Sequence, residues 1–285
     1  MKRIKKLVLP VAGLGKRLRP LTWRTPKALV PLNGDPLLGY VLREAKESAI
    51  EEVILVISPN HEKYFKKYLS LNSPKLDGLK VHLRFQKKSL GTGHAVLQAA
   101  DLVKKDPFVV RYCDDFLFGD PIPLVSLIKL FHDYQAPILL LERVPRKFVS
   151  RYGVVGINPF DKTQAFGSEA QARRGYPERE SKDKKHERRR VYQISEIVEK
   201  PEISQAPSNL TIVGGYALTP AILKNLKDLE KDLPSLNEDV LGITEAFQKE
   251  LRASGILYGW EFGSRRLDCG TIQGFRRAER ILQQS

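Results

Sequence analysis

A short apolar strand that runs directly into glycine constrains this chain more than any other feature of its sequence. Residues Leu7–Ala12 are apolar, and Gly13 and Gly15 follow at once. Glycine has no Cβ, so the backbone N–H groups of such a loop can close around an anion. The pattern predicts a buried strand that carries a phosphate-binding loop at its carboxyl end.

Two cations follow this loop closely. Arg17 lies two residues after Gly15, and Lys27 lies ten residues further along the chain. The loop lacks the Gly-Lys-Ser/Thr ending of a Walker motif. Its glycine spacing also differs from that of a dinucleotide fingerprint, and Pro20 interrupts the helix that such a fingerprint requires. A strand, a glycine loop and two cations predict a site for a nucleoside triphosphate.

The first half of the chain alternates between two patterns. Apolar runs predict strands over Val53–Ser58, Val81–Gln86, Phe108–Cys113 and Ile138–Val144. Amphipathic spacing predicts helices over Leu37–Ser48, His61–Tyr68, Thr92–Val103 and Pro123–Tyr134. This alternation predicts a three-layer, Rossmann-like α/β fold, with helices on both faces of a mostly parallel or mixed sheet.

The second half is richer in strands. Strands are expected over Gly153–Ile157, Arg190–Val198 and Leu210–Leu218, and helices over Ala221–Leu229, Leu241–Ser254 and Ile272–Gln283. No linker separates the halves, so we expect one domain over residues 1–285 with lobes at 1–150 and 151–285. Residues 161–190 are rich in charge and poor in apolar side chains, which predicts a basic loop insertion.

Composition narrows the class of protein. The 48 Lys and Arg residues exceed the 33 Asp and Glu residues, for a net charge of +15. Part of that charge lies in Arg173–Arg190, and a positive field also suits a phosphate-bearing substrate. The two cysteines, Cys113 and Cys269, form neither a disulfide framework nor a zinc site, and we expect both to be buried. The basic start of the chain lacks the long apolar run of a signal peptide, so we expect a cytoplasmic protein.

Five ordered motifs carry a resemblance to a known family. They are Gly13-x-Gly15-x-Arg17-Leu18-x-Pro20 with Pro26-Lys27, Gln86 with Gly91-Thr92-Gly93-His94, Tyr152-Gly153-Val154, Val198-Glu199-Lys200-Pro201, and the run from Ala206 to Tyr216. Together they resemble the sugar-1-phosphate nucleotidyltransferases, and in order and spacing the bacterial UTP–glucose-1-phosphate uridylyltransferases. The resemblance implies an enzyme that joins UTP and glucose 1-phosphate into UDP-glucose and pyrophosphate with Mg²⁺. We expect a homo-oligomer, a dimer or tetramer, without a nucleic-acid or membrane partner.

The resemblance also implies roles for individual residues. Arg17, Lys27 and Lys200 are the expected catalytic cations. The expected ligands of the nucleotide are Ala12, Gly13, Gly15, Gln86 and Gly91. Gly153, Glu199 and Lys200 are expected to bind the sugar phosphate in the second lobe, and Asp114 and Asp268 to bind the metal. Asp115 is equally compatible with a metal ligand and with a turn at the end of a strand. His94 is expected to start a helix rather than to catalyse.

Three alternatives stay open. Gln86 offers a donor and an acceptor, but uracil and thymine present the same hydrogen-bonding edge, so a thymidylyltransferase is possible. Ala28 stands where the uridylyltransferases usually carry Glu, and their Gly-Glu-Ile-Gln-Leu-Thr-Asp block is altered within Asn237–Glu245, which leaves room for another sugar 1-phosphate. A basic nucleic-acid-binding protein or a regulatory subunit on the same scaffold would tend to lose Asp114 and Asp268, and both are present.

Overall fold

A computed structural model describes residues 2–119, 121–158, 190–236, 240–263 and 265–284. The predicted basic loop at 161–190 lies outside these residues except for Arg190. Within the described ranges, no helix combines the length and the apolar character needed to cross a membrane.

Thirteen strands are formed by the described residues. They are β1 (Lys6–Pro10), β2 (Pro31–Leu32), β3 (Asp35–Pro36), β4 (Glu52–Ile57), β5 (Lys80–Phe85), β6 (Phe108–Arg111), β7 (Asp115–Leu117), β8 (Ile138–Arg143), β9 (Gly153–Ile157), β10 (Arg190–Glu199), β11 (Leu210–Leu218), β12 (Tyr258–Glu261) and β13 (Arg266–Asp268). Nine of them form one sheet in the order β5-β4-β1-β6-β11-β8-β12-β10-β9. The sheet confirms the predicted mixed α/β architecture.

The described residues also form eight α-helices. They are α1 (Leu37–Glu47), α2 (Glu62–Leu71), α3 (Gly91–Leu97), α4 (Ala100–Val103), α5 (Pro123–Tyr134), α6 (Pro220–Leu236), α7 (Thr244–Ser254) and α8 (Ile272–Gln283). The largest differences from the sequence-based expectation concern three predicted helices. Helix α6 continues to Leu236, seven residues beyond its predicted end at Leu229. The predicted helix at 92–103 is divided into α3 and α4, and α7 begins three residues after Leu241, because the backbone of Leu241 is hydrogen-bonded to the α3 region instead.

Parallel pairing is confined to part of the sheet. Strands β5, β4, β1 and β6 are parallel neighbours, as the strand–helix alternation predicts. Strand β11 then lies between β6 and β8 and runs antiparallel to both. Strands β9 and β10 also pair antiparallel. The strand-rich second half therefore extends the same sheet.

The core lies on both faces of this sheet. Along β1, Leu7 and Leu9 face one apolar cluster and Val8 faces the other, which is the alternation that a strand imposes. Helices α1, α2, α5 and α8 cover the first face, while α3, α6 and α7 cover the second. Three layers result, and the carboxyl ends of β1 and β6 lie side by side at one edge.

A short ladder at that edge was absent from the sequence-based prediction. Strands β7 and β13 pair antiparallel, with Asp268 opposite Asp115. Residues more than a hundred positions apart are joined by this ladder, which brings the C-terminal part of the chain to the end of β6.

Candidate functional site

The glycine loop after β1 has the conformation that its sequence predicts. Gly15 has a φ of 62°, in the left-handed region that favours glycine. A Cβ there would lie 2.9 Å from Cγ2 of Thr22. The Thr22 hydroxyl donates a hydrogen bond of 2.8 Å to the Gly15 carbonyl, so the loop folds back onto itself. Any other residue at position 15 would both strain the backbone and push Thr22 away.

A cavity of about 460 Å³ opens beside this loop. Its walls include most of the residues that the sequence assigned to the nucleotide and its phosphates: Ala12, Gly13, Arg17, Lys27, Gln86, Gly91 and Asp114. The Arg17 side chain is exposed, and its guanidinium has no partner among the residues that the structure describes. This cation is therefore available to an anion in the cavity.

Gln86 is buried at the far wall of the cavity, at 7% exposure. Its amide nitrogen contacts the Gly91 carbonyl at 2.9 Å and Nδ1 of His94 at 3.0 Å. His94, the fourth residue of α3, thus contacts the Gln86 amide, and its structural rather than catalytic role stays a prediction. Gly91 has a φ of 94°, and a Cβ there would lie 2.4 Å from the carbonyl oxygen of Leu241. Gly91 lines the cavity, but the contact that leaves no room for a side chain there is with the backbone of Leu241.

Three of the expected catalytic and metal residues meet around Gly270. From the position that a Cβ at Gly270 would take, Oδ1 of Asp268 is 2.8 Å away, Oδ2 of Asp114 is 2.9 Å away and Nζ of Lys27 is 3.2 Å away. Lys27 and Asp114 also form an ion pair at 2.5 Å. Residues from three distant parts of the chain therefore share one small volume at the sheet edge.

This carboxylate pair fits a divalent cation that is also held by substrate phosphates. Carboxylate oxygens are hard ligands, and Mg²⁺ is commonly bound through one or two of them together with phosphate oxygens. Asp268 lies at the end of β13, and its Oδ1 accepts a hydrogen bond from the Gly270 N–H at 2.7 Å. No cage of three or more His, Cys, Asp or Glu side chains occurs in the described ranges, so phosphate would have to complete the shell.

Asp115 belongs to a different network, which decides between its two sequence-based interpretations. Its Oδ1 pairs with Arg266 at 2.5 Å, and its Oδ2 accepts the Gly214 N–H at 2.8 Å. Arg266 in turn pairs with Glu142 at 2.6 Å. Burial raises the pKa of the Asp115 carboxyl, and the Arg266 charge opposes that shift. Both oxygens are bound by protein groups, which is against a role for Asp115 as a metal ligand. Asp115 instead joins Arg266 and the Gly214 backbone next to the site.

Arg111, the last residue of strand β6, belongs to the same network as Asp115. It is 2% exposed, donates to the Gly214 carbonyl at 2.6 Å and pairs with Glu44 at 3.0 Å. A buried charge needs such a partner. The Arg111–Glu44 pair thus connects strand β6 to helix α1 beneath the site.

The expected sugar-phosphate residues meet at the joint between β9 and β10. Glu199 is registered opposite Gly153, and a Cβ at Gly153 would lie 3.1 Å from Oε2 of Glu199. Oε1 of Glu199 pairs with Nζ of Lys200 at 2.9 Å. Oε2 accepts the Thr244 hydroxyl at 2.9 Å. Lys200 remains 63% exposed, so its ammonium can reach a ligand.

Two tyrosine rings in edge-to-face contact connect the cavity wall with the surroundings of Glu199. Tyr112 lines the cavity, and its ring meets that of Tyr216 edge to face at 6.0 Å between centroids. Burial raises the pKa of both hydroxyls, and the negative charge of Glu199 contributes to the shift at Tyr216. Both tyrosines therefore stay neutral and can donate hydrogen bonds.

Sequence reasoning missed Thr244, Tyr112 and Arg266. Thr244 lies in the altered 237–245 block, and Tyr112 directly precedes the Cys113-Asp114 pair, so both carried a positional signal. For Arg266, the sequence carried no signal other than its position two residues before Asp268. The expectation for the cysteines is confirmed, since both are buried and free. Burial raises the pKa of each thiol to about 12, which keeps both unreactive.

The glycine loop, the cavity and the carboxylate pair at the edge of an α/β sheet define a nucleotidyl-transferring enzyme. The model of the nucleotidyl transferase family matches residues 5–285, and the chain belongs to this family.

Three relatives are particularly similar. A UTP–glucose-1-phosphate uridylyltransferase of Staphylococcus epidermidis is 28% identical, with 96% of this chain and 91% of the relative covered. A crystal structure of UDP-glucose pyrophosphorylase complexed with UDP-glucose superposes with a TM-score of 0.79 and 28% identity over 99% of both chains. A UTP-bound UGPase from Acinetobacter baumannii superposes with a TM-score of 0.75 and 28% identity, over 98% of this chain and 93% of that one.

Proposed function

We propose that this chain transfers a uridylyl group from UTP to glucose 1-phosphate and releases UDP-glucose and pyrophosphate. Relatives that match nearly its full length carry that activity in their names, and one such structure holds UDP-glucose. The continuous sheet supports a single catalytic domain over residues 1–285. The cytoplasmic location and the homo-oligomer stay predictions.

The observation that carries the proposal is the convergence of Lys27, Asp114 and Asp268 around Gly270. Two of these residues, Lys27 and Asp114, also line the nucleotide cavity. The nucleophile of this reaction is a phosphate oxygen that is already ionised, so no strong base is needed. Catalysis then depends on holding two anions in line and on neutralising charge as it develops. The side chains around Gly270 would meet both demands at one place.

Individual roles follow from position. Arg17 would bind two oxygens of the triphosphate with its planar guanidinium. Lys27 would neutralise the phosphate under attack, and Lys200 would hold the attacking sugar phosphate in line with it. Asp114 and Asp268 would hold Mg²⁺, which supplies charge neutralisation when it is bound. Glu199 would accept hydrogen bonds from sugar hydroxyls. Both of its oxygens have a protein partner, but its side chain is 34% exposed, against 15% for Asp115.

Substrate identity is tested by a panel. Purified protein is given each nucleoside triphosphate with several sugar 1-phosphates, and pyrophosphate release is measured. We expect the highest kcat/KM for UTP with glucose 1-phosphate. A preference for dTTP or for another sugar 1-phosphate would replace this substrate pair with the alternatives that Ala28 and the 237–245 block leave open. Absence of pyrophosphate with every pair would contradict the enzyme itself.

Replacing Gln86 with leucine should reduce the preference for UTP over CTP and ATP. A site built to hydrogen-bond its ligand can reject a wrong partner by up to ~10⁴-fold, and leucine cannot make such bonds. The measurement is kcat/KM for each triphosphate. Gln98→Leu is the matched control, since Gln98 contacts the opposite nitrogen of His94 at 3.3 Å and does not line the cavity. An unchanged preference in Gln86→Leu would mean that backbone groups near Gly91 select the base.

Replacing Lys200 with alanine should weaken sugar-phosphate binding more than triphosphate binding. The loss of one charge-assisted contact to phosphate corresponds to roughly tenfold or more in KM for the sugar phosphate. Lys231→Ala is a matched control, since this lysine is 68% exposed and pairs only loosely, at 3.9 Å, with Asp228. Equal increases in the KM of both substrates would place Lys200 outside the sugar subsite.

A further inference from the structure

Residues Val240–Thr244, here called the bridging segment, connect the end of the α6 region to the first residue of α7. The segment touches both halves of the candidate site. Val240 lines the nucleotide cavity, and Thr244 contacts Glu199 in the sugar-phosphate group. Its two ends are held in different ways.

The nucleotide end is held by backbone hydrogen bonds. The Leu241 carbonyl accepts the N–H groups of Gly93 at 2.9 Å and His94 at 3.3 Å, and the Leu241 N–H donates to the Leu90 carbonyl at 2.8 Å. The contact is very close, because a Cβ at Gly93 would lie 2.2 Å from the Gly242 carbonyl oxygen. Glycine at position 93 is therefore required by the bridging segment.

At the sugar end, the hydrogen bond to Glu199 comes from one hydroxyl. Thr244 is 8% exposed, and its hydroxyl donates to Oε2 of Glu199. Lys200 occupies the other carboxylate oxygen of Glu199. The rotamer of Glu199, and with it the ion pair to Lys200, is therefore set from the Thr244 side.

We infer that the bridging segment couples residues Leu90–His94, here called the nucleotide loop, to the sugar-phosphate group, with Thr244 as the positioning residue that orients Glu199. Only two residues separate the clamped Leu241 from Thr244, and Leu241 and Ile243 are both buried in the core. A displacement of the nucleotide loop must therefore reach Glu199 through a short, packed stretch. By linkage, the occupancy of either subsite then changes the affinity of the other. The identity of the two ligands rests on the proposed function.

The test is the split between the two KM values in Thr244→Val. This substitution keeps the shape of the side chain and removes the donor to a charged acceptor, which corresponds to roughly tenfold or more. We expect the KM for glucose 1-phosphate to rise by that factor while the KM for UTP stays within twofold. Thr244→Ser keeps the hydroxyl and should restore the parent value.

Thr211→Val is the matched control. Thr211 is fully buried, and its hydroxyl donates at 3.0 Å to the backbone carbonyl of Glu142 rather than to a residue expected to bind the nucleotide or the sugar phosphate. This variant should lower the melting temperature and leave both KM values unchanged. A Thr244→Val protein with the parent's KM for glucose 1-phosphate, or with equal increases for both substrates, would overturn the inference.

The coupling itself is measured by a double-mutant cycle with Gly93→Ala. Gly93 does not contact the sugar-phosphate group, yet its substitution should raise the KM for glucose 1-phosphate, and that increase should disappear in the Thr244→Val background. Additive effects would refute the coupling. If Gly93→Ala does not fold by circular dichroism, the comparison of Thr244→Val with Thr244→Ser decides.

Failure of the proposed function and failure of this inference give different results in these assays. If the parent prefers another triphosphate and sugar phosphate, the same KM split is measured with that pair, and the inference stands or falls on it. A parent that is inactive with every pair contradicts both.

Discussion

Asp114→Asn is expected to lower turnover by at least ~10²-fold, which is the scale for removing one electrostatic stabiliser from an active site. The amide keeps the volume of the carboxylate but loses the charge that would hold Mg²⁺ beside Lys27. Lys27 also loses its ion-pair partner at 2.5 Å, so its side chain should become less fixed in the cavity wall. Binding of UTP should be affected less than turnover.

The measurement is pyrophosphate release at saturating substrates over a titration of Mg²⁺. Asp106→Asn is the matched control, because Asp106 pairs with Lys2 and Lys6 away from the cavity. Those lysines hold the pKa of Asp106 at about 2, so this control should lose some stability but keep its turnover. Turnover of Asp114→Asn within a few-fold of the parent, with an unchanged Mg²⁺ requirement, would remove Asp114 from the metal site.

Arg266→Met is expected to destabilise the fold by ~3–5 kcal/mol, the scale for removing one partner from a buried ion pair. Arg266 is 6% exposed at its side chain and pairs with both Asp115 and Glu142. Burial lowers the pKa of Arg266, but the two carboxylates raise it by more than burial lowers it, so the guanidinium stays charged. Methionine fills similar space but leaves Asp115 without a countercharge.

The penalty should depend on pH in a defined direction. Burial raises the pKa of Asp115, and loss of Arg266 removes the charge that opposes this shift. The folded variant then binds a proton at Asp115 at a pH where the unfolded chain has released it. Stability of the variant therefore falls as pH rises above the unfolded pKa of about 4, and the gap to the parent narrows on acidification.

Urea unfolding of parent and variant at pH 5 and pH 8 measures both effects. Arg143→Met is the control, since Arg143 pairs with Glu261 but is 45% exposed, and exposed pairs contribute at most about 1 kcal/mol. A loss of less than 1 kcal/mol in Arg266→Met, or a gap that widens on acidification, would contradict the buried pair as the support of the site.

Much of the fold could be predicted from local patterns. Strands β4, β5 and β8 and helices α1 and α5 lie within a residue or two of the ranges that apolar spacing predicts, because side-chain periodicity is a local property of strands and helices. The pairing of β11 between β6 and β8 could not be predicted, because strand order depends on contacts between segments far apart in sequence. The sheet is mixed because β11 runs antiparallel to β6 and β8, and β10 runs antiparallel to β9 and β12.

The candidate site divides in the same way. Gly15 was predictable because its left-handed conformation and its contact with Thr22 arise within eight residues. Gly91 and Gly93 were recognisable as a motif, but the reason for their lack of a side chain lies in the backbone of Leu241 and Gly242. The same contact shortened α7, since hydrogen bonds to the α3 region compete with helix formation at Leu241.

Local sequence identified the glycine loop, its cations and the acidic pair at the end of β6, because each consists of neighbouring residues whose chemistry and conformation are set by the nearby chain. The sequence already favoured Asp114 as the metal ligand, but the partners of Asp115, whose role it left open, came only from the tertiary structure. Asp114 meets Lys27, 87 positions away, while Asp115 meets Arg266, 151 positions away. Asp114 lies in the turn between β6 and β7, and Asp115 is the first residue of β7, so the same side-chain type faces the cavity at one position and a buried arginine at the next.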